Sequence, residues 1–542
     1  MKSILFSLFF FLSFAISTFA QTFEWATNEG GIQYDVLSAT AIDQQNNLFI
    51  SGTFDGKWAW QSGDTLKSKG AGDFFLARTN NAGNLEWVVG NGGNLDDALL
   101  DIALSPQQDA VFAAGFVRDS LLLGTDTIET ASSSDADALL MRCDVQNGAV
   151  QWTQTLKTKG DAEFRTVASD QTGNVYAAGV FADSLFIAGD SIKSAGSYDI
   201  VLAKFNGADG SLLWYRIFGG AQSDEVTDMQ IDPATGKIVL TGFFTGFAIW
   251  QTYNALSAGD TDLFLVAINA EGGVEQLITA GGEGIESANS LAIDNQGNYY
   301  IAGNFVETAQ IGQFALTANG SSDWLLAKWN AQGELQWAKA IGSSQTDKAN
   351  TIAADANNNV YVAGYFADYL TADDLYLQSN GSTDILVVKL NADGNVLWVQ
   401  GAGGQQFDNA KTITLDNEGY CYIAGNFTAT ADFDEAGTLQ SNGNADLFWA
   451  KINQSTIDLS TATVQQMSFD LFPNPASSHL SLQLPPQQTL PLPIQLINSS
   501  GQIVLQHTIA QNLENIDIRH LPTGCYILHA NNGSYAKVVI SR

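Results

Sequence analysis

The chain has 542 residues, 45% hydrophobic and 15% charged, with 57 acidic against 23 basic residues and a formal net charge of −34. A field that negative argues against nucleic acid and anionic lipid as direct partners. The three cysteines, Cys143, Cys421 and Cys525, are too few and too scattered for a disulfide framework, so they read as small buried hydrophobes.

In chain order, residues 1–20 carry one lysine, a long Leu/Phe/Ile run and a small-residue end at Ser17–Ala20. This predicts a secretory signal peptide. No later stretch is apolar for long enough to cross a bilayer.

Seven near-copies of one strand follow, centred on Gly52, Gly115, Gly179, Gly242, Gly303, Gly364 and Gly425 and spaced 63, 64, 63, 61, 61 and 61 residues apart. A fixed period of this length marks a repeat architecture. Ahead of each glycine lies an apolar run ended by an Asp/Asn/Gly turn, as at Asp355–Asn358 or Asp294–Gly297. There side-chain oxygens can cap backbone amides, which predicts a hairpin. A second strand, 20 to 22 residues after the glycine, opens with Asp73, Asp137, Asp199, Asp262, Asp323, Asp384 or Asp446. A further turn leads to a strand carrying Trp87, Trp152, Trp214, Trp337 or Trp398, with Gln276 in the same place in one copy. These aromatics are expected to pack between neighbouring sheets. The segment between glycine and aspartate has two recurrent apolar positions, such as Leu370 with Leu377, and reads either as an extra strand or as a hairpin extension.

Short strands at this spacing, with no helical period, are the sequence image of propeller blades. The tryptophan strand stands 27 or 28 residues before the next anchor glycine, and Trp25 stands 27 before Gly52. The last copy ends at Ile452 with no such strand. The expected fold is therefore all-β: a seven-bladed propeller over residues 21–455, closed by the N-terminal strand, which removes exposed sheet edges. The whole negative balance of the chain falls in this segment.

Composition shifts near Thr456, beyond which lie seven of the nine prolines and all four histidines. Residues 456–468 read as a polar linker, and 469–542 as a small β-sandwich with alternating strands such as Leu480–Leu484.

The candidate chemistry is sparse. A Gly-rich loop ahead of each repeat ends in an acid: Asp35, Asp96, Glu163, Asp224, Glu286, Asp347 or Asp408. Ringed around one mouth of a channel, these carboxylates would suit a hard cation such as calcium. The local alternative is that each acid accepts backbone N–H bonds and fixes its own turn. Asp432–Gly437 is similar to a calcium loop but lacks its remaining spaced oxygens. Trp58 has no equivalent in the other repeats and is a candidate for stacking on a sugar, whereas Trp60 and Trp250 read as packing residues. No histidine occurs before residue 456, which excludes a Ser-His-Asp site or an imidazole-bound metal there. A pair of acids acting as a glycosidase stays open. Quinone-dependent dehydrogenases are also propellers with tryptophan-bearing repeats, but blade packing accounts for the tryptophans here.

The tail resembles the C-terminal sorting domain of the type IX secretion system of Bacteroidetes-type bacteria. The matching residues are Phe472-Pro473-Asn474-Pro475, Ser500-Gly501-Gln502, Leu521-Pro522-Thr523-Gly524 with Tyr526, and Lys537–Ile540. The resemblance implies export through the signal peptide, recognition by the type IX machinery, and a final location at the cell surface or in the medium. The repeats are similar to a bacterial family of secreted β-propeller repeats, which implies no defined activity. Five Asp-Ser/Thr-apolar triplets, including Asp119-Ser120-Leu121 and Asp190-Ser191-Ile192, look like the O-glycosylation acceptors of such bacteria. The expected role is a monomeric, non-catalytic binding or adhesion module without a cofactor, with a glycan or surface protein as ligand. The rival is a carbohydrate-active enzyme, a carboxylate-pair glycosidase or a lyase.

Overall fold

The computed structural model describes the chain except residues 1–20, 61–64, 124–125, 133, 374, 454–469, 474, 485–489, 499–502, 531–534 and 542. The signal-peptide segment, the linker 456–468, Asn474 and Gly501 thus lie outside the described residues. Contacts divide the chain into two compact units, Met1–Gln454 and Ser455–Arg542.

The first unit is all-β, as its repeat predicts. Its main strands form seven four-stranded antiparallel sheets among the described residues. Six follow chain order, such as Lys348–Ala354, Val360–Phe366, Asp384–Leu390 and Val396–Ala402. The remaining sheet takes Asn409–Leu415, Cys421–Phe427 and Asp446–Asn453 from the chain's end and Thr22–Glu29 from its start, paired from Thr22↔Asn453 to Glu29↔Leu447. The sheets are called blades 1 to 7 in the order of their first strands. Those first strands neighbour one another in sequence, and Asp35–Ile42 touches both Ala98–Leu104 and Asn409–Leu415.

The anchor glycine is explained by a bulge. In each blade the register of the first strand slips by one residue opposite the glycine. A Cβ on Gly364 would lie 2.0 Å from the Lys348 carbonyl oxygen, and the other six anchors are as tight, 1.8 to 2.0 Å. No side chain fits there, so the period of the sequence is the period of this bulge.

Packing between blades follows one rule. Seven apolar clusters each join two neighbouring blades, and one of them joins Leu37, Ile50 and Phe75 of blade 1 to Ala424, Leu447 and Trp449 of blade 7. On the outer strands, Trp152 and Trp337 donate their indole N–H to Gly207 and Ala392 at 3.1 Å, in the turn of the next blade. That turn carries a glycine at positive φ against the ring, Gly210 and Gly394 respectively, where a Cβ would collide with the indole. Gln276 does the same work by hydrogen bonding Gln332. The expected inter-sheet role of the tryptophans is what the structure shows.

The segment between the second and third strands is a small two-stranded hairpin in every blade, as in Tyr369–Ala372 with Leu375–Gln378. It reaches sideways to the preceding blade: Lys157 and Thr158 pair with Phe186 and Leu185, and Gly219 and Gly220 with Ile249 and Ala248. Cys143 and Cys421 are buried in inter-blade clusters, as expected of small hydrophobes.

The second unit is a β-sandwich. One sheet orders Asp470–Phe472, His479–Gln483 and Leu513–Asp517; the other orders Ile503–Ile509, Leu492–Asn498, Gly524–Ala530 and Tyr535–Ile540. Leu480, Leu482, Leu496, Ile516, Leu528 and Val538 fill the space between them.

Candidate functional site

The loop acids are turned inward onto their own loops, which is the local reading of the two. Asp35 accepts the Gly31 amide at 2.5 Å, Asp224 that of Gly220 at 2.6 Å, Glu286 that of Gly282 at 2.7 Å and Asp408 that of Gly404 at 2.6 Å. Asp347 holds Ser343 N at 2.5 Å and Ala367 N at 2.9 Å. All five are fully buried. Two of the predicted residues need correcting. Asp96 is exposed, and its neighbour Asp97 is the buried acid that accepts Gly93 N at 2.6 Å. Glu163 is half-buried and paired with Arg165, and the equivalent loop position is Ala162. The legible signal was the distance to the anchor glycine, which is 17 or 18 residues for the true series and 19 or 16 for these two.

Each loop acid faces the aspartate that opens the third strand of the preceding blade. Asp446 thus lies by Asp35, Asp73 by Asp97, Asp199 by Asp224, Asp262 by Glu286, Asp323 by Asp347 and Asp384 by Asp408. A glycine closes over each pair, so close that a Cβ on Gly281 would sit 2.5 Å from Asp262 and 2.8 Å from Glu286. One oxygen of Asp35, Asp446, Asp199, Asp224, Asp262 and Glu286 is buried without a protein partner. Burial, and then the neighbouring carboxylate, push the carboxyls of Asp35, Asp224, Glu286 and Asp408 up to about 7. Such a pair can share one proton rather than ionise twice. Among the described residues no group of three or more His, Cys, Asp or Glu is placed to hold a metal ion.

Two further sequence candidates change character. Trp58 is wholly buried, edge-on to Phe75 at 5.1 Å between ring centres, with Trp60 at 6.2 Å, and it pairs across its hairpin with Leu66. It packs and offers no face to a sugar. In the segment Asp432–Gly437, Asp434 accepts the Gln400 side-chain amide at 2.6 Å and Asp432 bridges to Gly403, so its polar groups hold blade 6 to blade 7. Ser120 and Ser191 of the triplets are exposed on or beside small hairpins.

What sequence reading missed is a set of exposed apolar residues immediately ahead of some first strands. Tyr34 and Phe407 are 61% and 65% exposed at successive blade boundaries, with Ile32 at 69%. Ile285, 43% exposed, stands at the same place in one further blade, and Asp96, Asp161, Ser223 and Thr346 in the other four, so the face is not symmetric. Phe407 lines an open cavity of about 500 Å³ together with Gln345, Asp368, Asn380, Ser382 and Thr383. The only sequence signal was an aromatic residue just before the buried acid.

In the second unit, Pro473 and Pro475 are exposed, and Ala476 after them bonds to Val539 O of the last strand at 2.8 Å. Gly524 opens a strand on which Tyr526 is buried, its hydroxyl donating to Pro522 O at 2.7 Å, and Lys537 lies on the final strand. Residues 470–541 match the secretion system C-terminal sorting domain, 336–365 a β-propeller repeat and 356–396 a β-propeller domain of unknown function. The chain carries β-propeller repeats and a secretion sorting domain. That domain directs the propeller through type IX secretion to the cell surface or the medium. No helix among the described residues is long and apolar enough to cross a membrane.

Among curated proteins, the propeller protein is 20% identical to an uncharacterized WD repeat-containing protein of Acanthamoeba polyphaga mimivirus, over 80% of this chain and 38% of that one. It is 25% identical to the regulatory protein FlaEY of Caulobacter vibrioides over 26% of this chain and 15% of that one. It thus spans well under half the length of these curated relatives. Among solved structures it overlaps a quinohemoprotein alcohol dehydrogenase of Comamonas testosteroni (TM-score 0.39, 9% identity, 84% of this chain and 79% of that one). It also overlaps PorZ, a surface component of the type IX secretion system of Porphyromonas gingivalis (TM-score 0.28, 11% identity, 95% and 75%). At scores this low no chemistry passes from those proteins to this chain.

Proposed function

We propose that this exported propeller is a non-catalytic binding module that meets a glycan or surface-protein ligand on the loop face around Phe407 and Tyr34. The observation that supports it is the break in symmetry there. Two exposed aromatic rings stand at consecutive blade boundaries, Phe407 lining an open cavity, where most other boundaries carry Asp, Ser or Thr. Aromatic faces with adjacent amide and carboxylate groups suit a sugar ring. The enzyme reading lacks comparable support, because the raised carboxyls lie buried under glycine loops rather than facing each other across a cleft. The test is binding of the purified chain to a panel of polysaccharides and glycans, with calcium and with chelator, alongside an assay for released sugar. Binding without turnover, lost in Phe407→Ala and Tyr34→Ala, is the expected result. Sugar release would replace the reading with catalysis, and binding unaffected by either substitution would move the site elsewhere.

A further inference from the structure

At the boundary of blades 2 and 3 the repeat breaks at several positions together. Ala162 replaces the loop acid, and Lys157 stands where every other copy has a glycine, as at Gly219 or Gly281. Without a second buried carboxylate, Asp137 takes the Ala131 and Thr158 amides at 2.8 and 2.9 Å, and no glycine has to close over a pair. Lys159, two residues on, is matched in the other copies by Ile32, Asn94, Ala221, Glu283, Ser344 and Gln405, none of them basic.

The hairpin of blade 3 extends this change into a surface. Its strands Ser184–Ile187 and Asp190–Lys193 continue the sheet of blade 2 beyond Val150–Thr158, giving six strands in all. Lys157 pairs with Phe186, and Phe186 with Ser191. One step along, the Lys159 amide donates to Ser184 O at 3.0 Å, and Ser184 pairs with Lys193. Side chains directly opposite, or two apart on one strand, share a face. Lys157, Phe186 and Ser191 therefore form one row of a sheet face, and Lys159, Ser184 and Lys193 the next. The three lysines, Phe186 and Ser191 are exposed. Strand spacing puts the Lys159 and Lys193 backbones about 10 Å apart, and Lys157 about 7 Å from Lys159.

No acid belongs to this face. Among the described residues its three ammonium groups make no ion pair or hydrogen bond, whereas most other cations of the propeller do, as Arg118 with Asp161 and Arg142 with Asp109. The nearby acids are engaged elsewhere. Asp183 takes Ser184 Oγ at 2.9 Å, and Asp190, on the opposite face, takes the Tyr215 hydroxyl at 3.0 Å. Asp137 feels the charge of Lys157 but is itself buried. The Lys159 ammonium lies 6.0 Å from the centre of the Phe186 ring.

We propose that this face binds an acidic polysaccharide, with carboxylate or sulfate groups on the lysines and a sugar ring on Phe186. Ammonium groups set out along a sheet suit acids repeated along a chain, and an aromatic ring beside them suits the apolar side of a sugar. The net charge of −34 permits this, because salt screens fields beyond about 10 Å and the contacts are local. Duplex DNA, with a charge at about every 1.7 Å of its axis, meets far more repulsion than a chain with one acid per sugar. The surface is separate from Phe407 and Tyr34, so Phe407→Ala should leave it unaffected.

The test is titration of the full chain with polygalacturonate, dextran sulfate, neutral dextran and duplex DNA at matched ionic strength. Binding of at least one acidic polysaccharide but not of dextran is expected, and the one that binds assigns the acid group. Lys159→Met with Lys193→Met should weaken it at least about tenfold. Phe186→Ala, which leaves the charge unchanged, should weaken it about threefold. Lys57→Met with Lys67→Met removes the same charge from the hairpin of blade 1 and should change little. The lysines are exposed, so both double variants should keep the wild-type urea midpoint. Equal losses in the two lysine doubles, DNA bound as tightly as the polysaccharides, or no binding of either acidic polysaccharide overturns the proposal.

Discussion

The seven anchor glycines and the paired carboxyls are the residues on which this fold is most exposed to single changes. A methyl group on Gly364 would sit 2.0 Å from a backbone oxygen that a bulge holds in place, so nothing flexible can yield. Gly364→Ala should destabilise the propeller by about 3 kcal/mol, read as a lower urea midpoint at unchanged slope. The carboxyls make a prediction in pH. Asp35 is raised from its ordinary 3.8 to about 7, so the folded chain holds that proton more tightly than the unfolded chain does. Its protonation favours folding below the ordinary carboxylate range, and that contribution is lost as pH rises through about 7. Stability should therefore decline from pH 5 toward pH 8 through the set Asp35, Asp224, Glu286 and Asp408. Asp35→Asn removes one member, keeps an acceptor for Gly31 and brings a donor to the unpartnered oxygen of Asp446. It should gain about 1 to 3 kcal/mol at pH 8 and little at pH 5. Unfolding curves at both values decide it, and an equal change at the two would show that Asp35 does not titrate between them.

At the scale of elements, periodic features were legible and asymmetric ones were not. Hairpins, the aspartate-led third strand and the tryptophan strand can be read from the chain because each repeats a local constraint: a turn, a cap or a ring against a turn. Side-chain capping in the turns is as expected, with Asp355 accepting both Asn357 N and Asn359 N at 2.9 Å. Its second oxygen takes the Tyr361 hydroxyl at 3.2 Å while Lys389 lies 4.6 Å over that ring, which explains the lysine that ends several third strands. Asp96 and Glu163 lie beside the buried loop position rather than in it. Loops of unequal length shift an acid by one residue, and in a strand one residue is the difference between facing in and facing out. Trp58 is different: it stands six residues after its anchor glycine, the position that Leu121, Leu185 and Leu370 fill and bury in other blades, so it has equivalents and is a packing residue. Exposed Phe407 and Tyr34 carry no periodic signal at all. The tryptophan contact gives this scale its test. Trp337→Ala removes a ring packed on Gly394 and a bond to Ala392, and should cost about 3 kcal/mol. Trp337→Gln should recover part of the loss, since Gln276 already fills that role one blade earlier; thermal unfolding of the three chains measures it.

For the whole molecule, the strand Thr22–Glu29 is the piece that joins the chain's start to its end. It pairs along Asp446–Asn453 and buries Phe23 against Phe433 at 5.0 Å between ring centres. Trp25 covers Gly83 of blade 1, whose carbonyl also takes the Trp449 indole N–H at 2.8 Å. Removal of residues 22–29 would leave Asp446–Asn453 as an open edge beside an empty apolar slot, a template for pairing with another chain. The negative charge of the propeller opposes such association at low salt, and screening relieves that repulsion. A chain lacking 22–29 should therefore unfold at lower temperature and self-associate increasingly as salt is raised, as followed by light scattering. A free peptide with the sequence of residues 22–29 should restore the midpoint and suppress association, because it supplies the same register without a covalent link. If the truncated chain keeps both its midpoint and its monomeric state, contacts between blades 1 and 7 alone hold the ends together, and the N-terminal strand is dispensable to the ring.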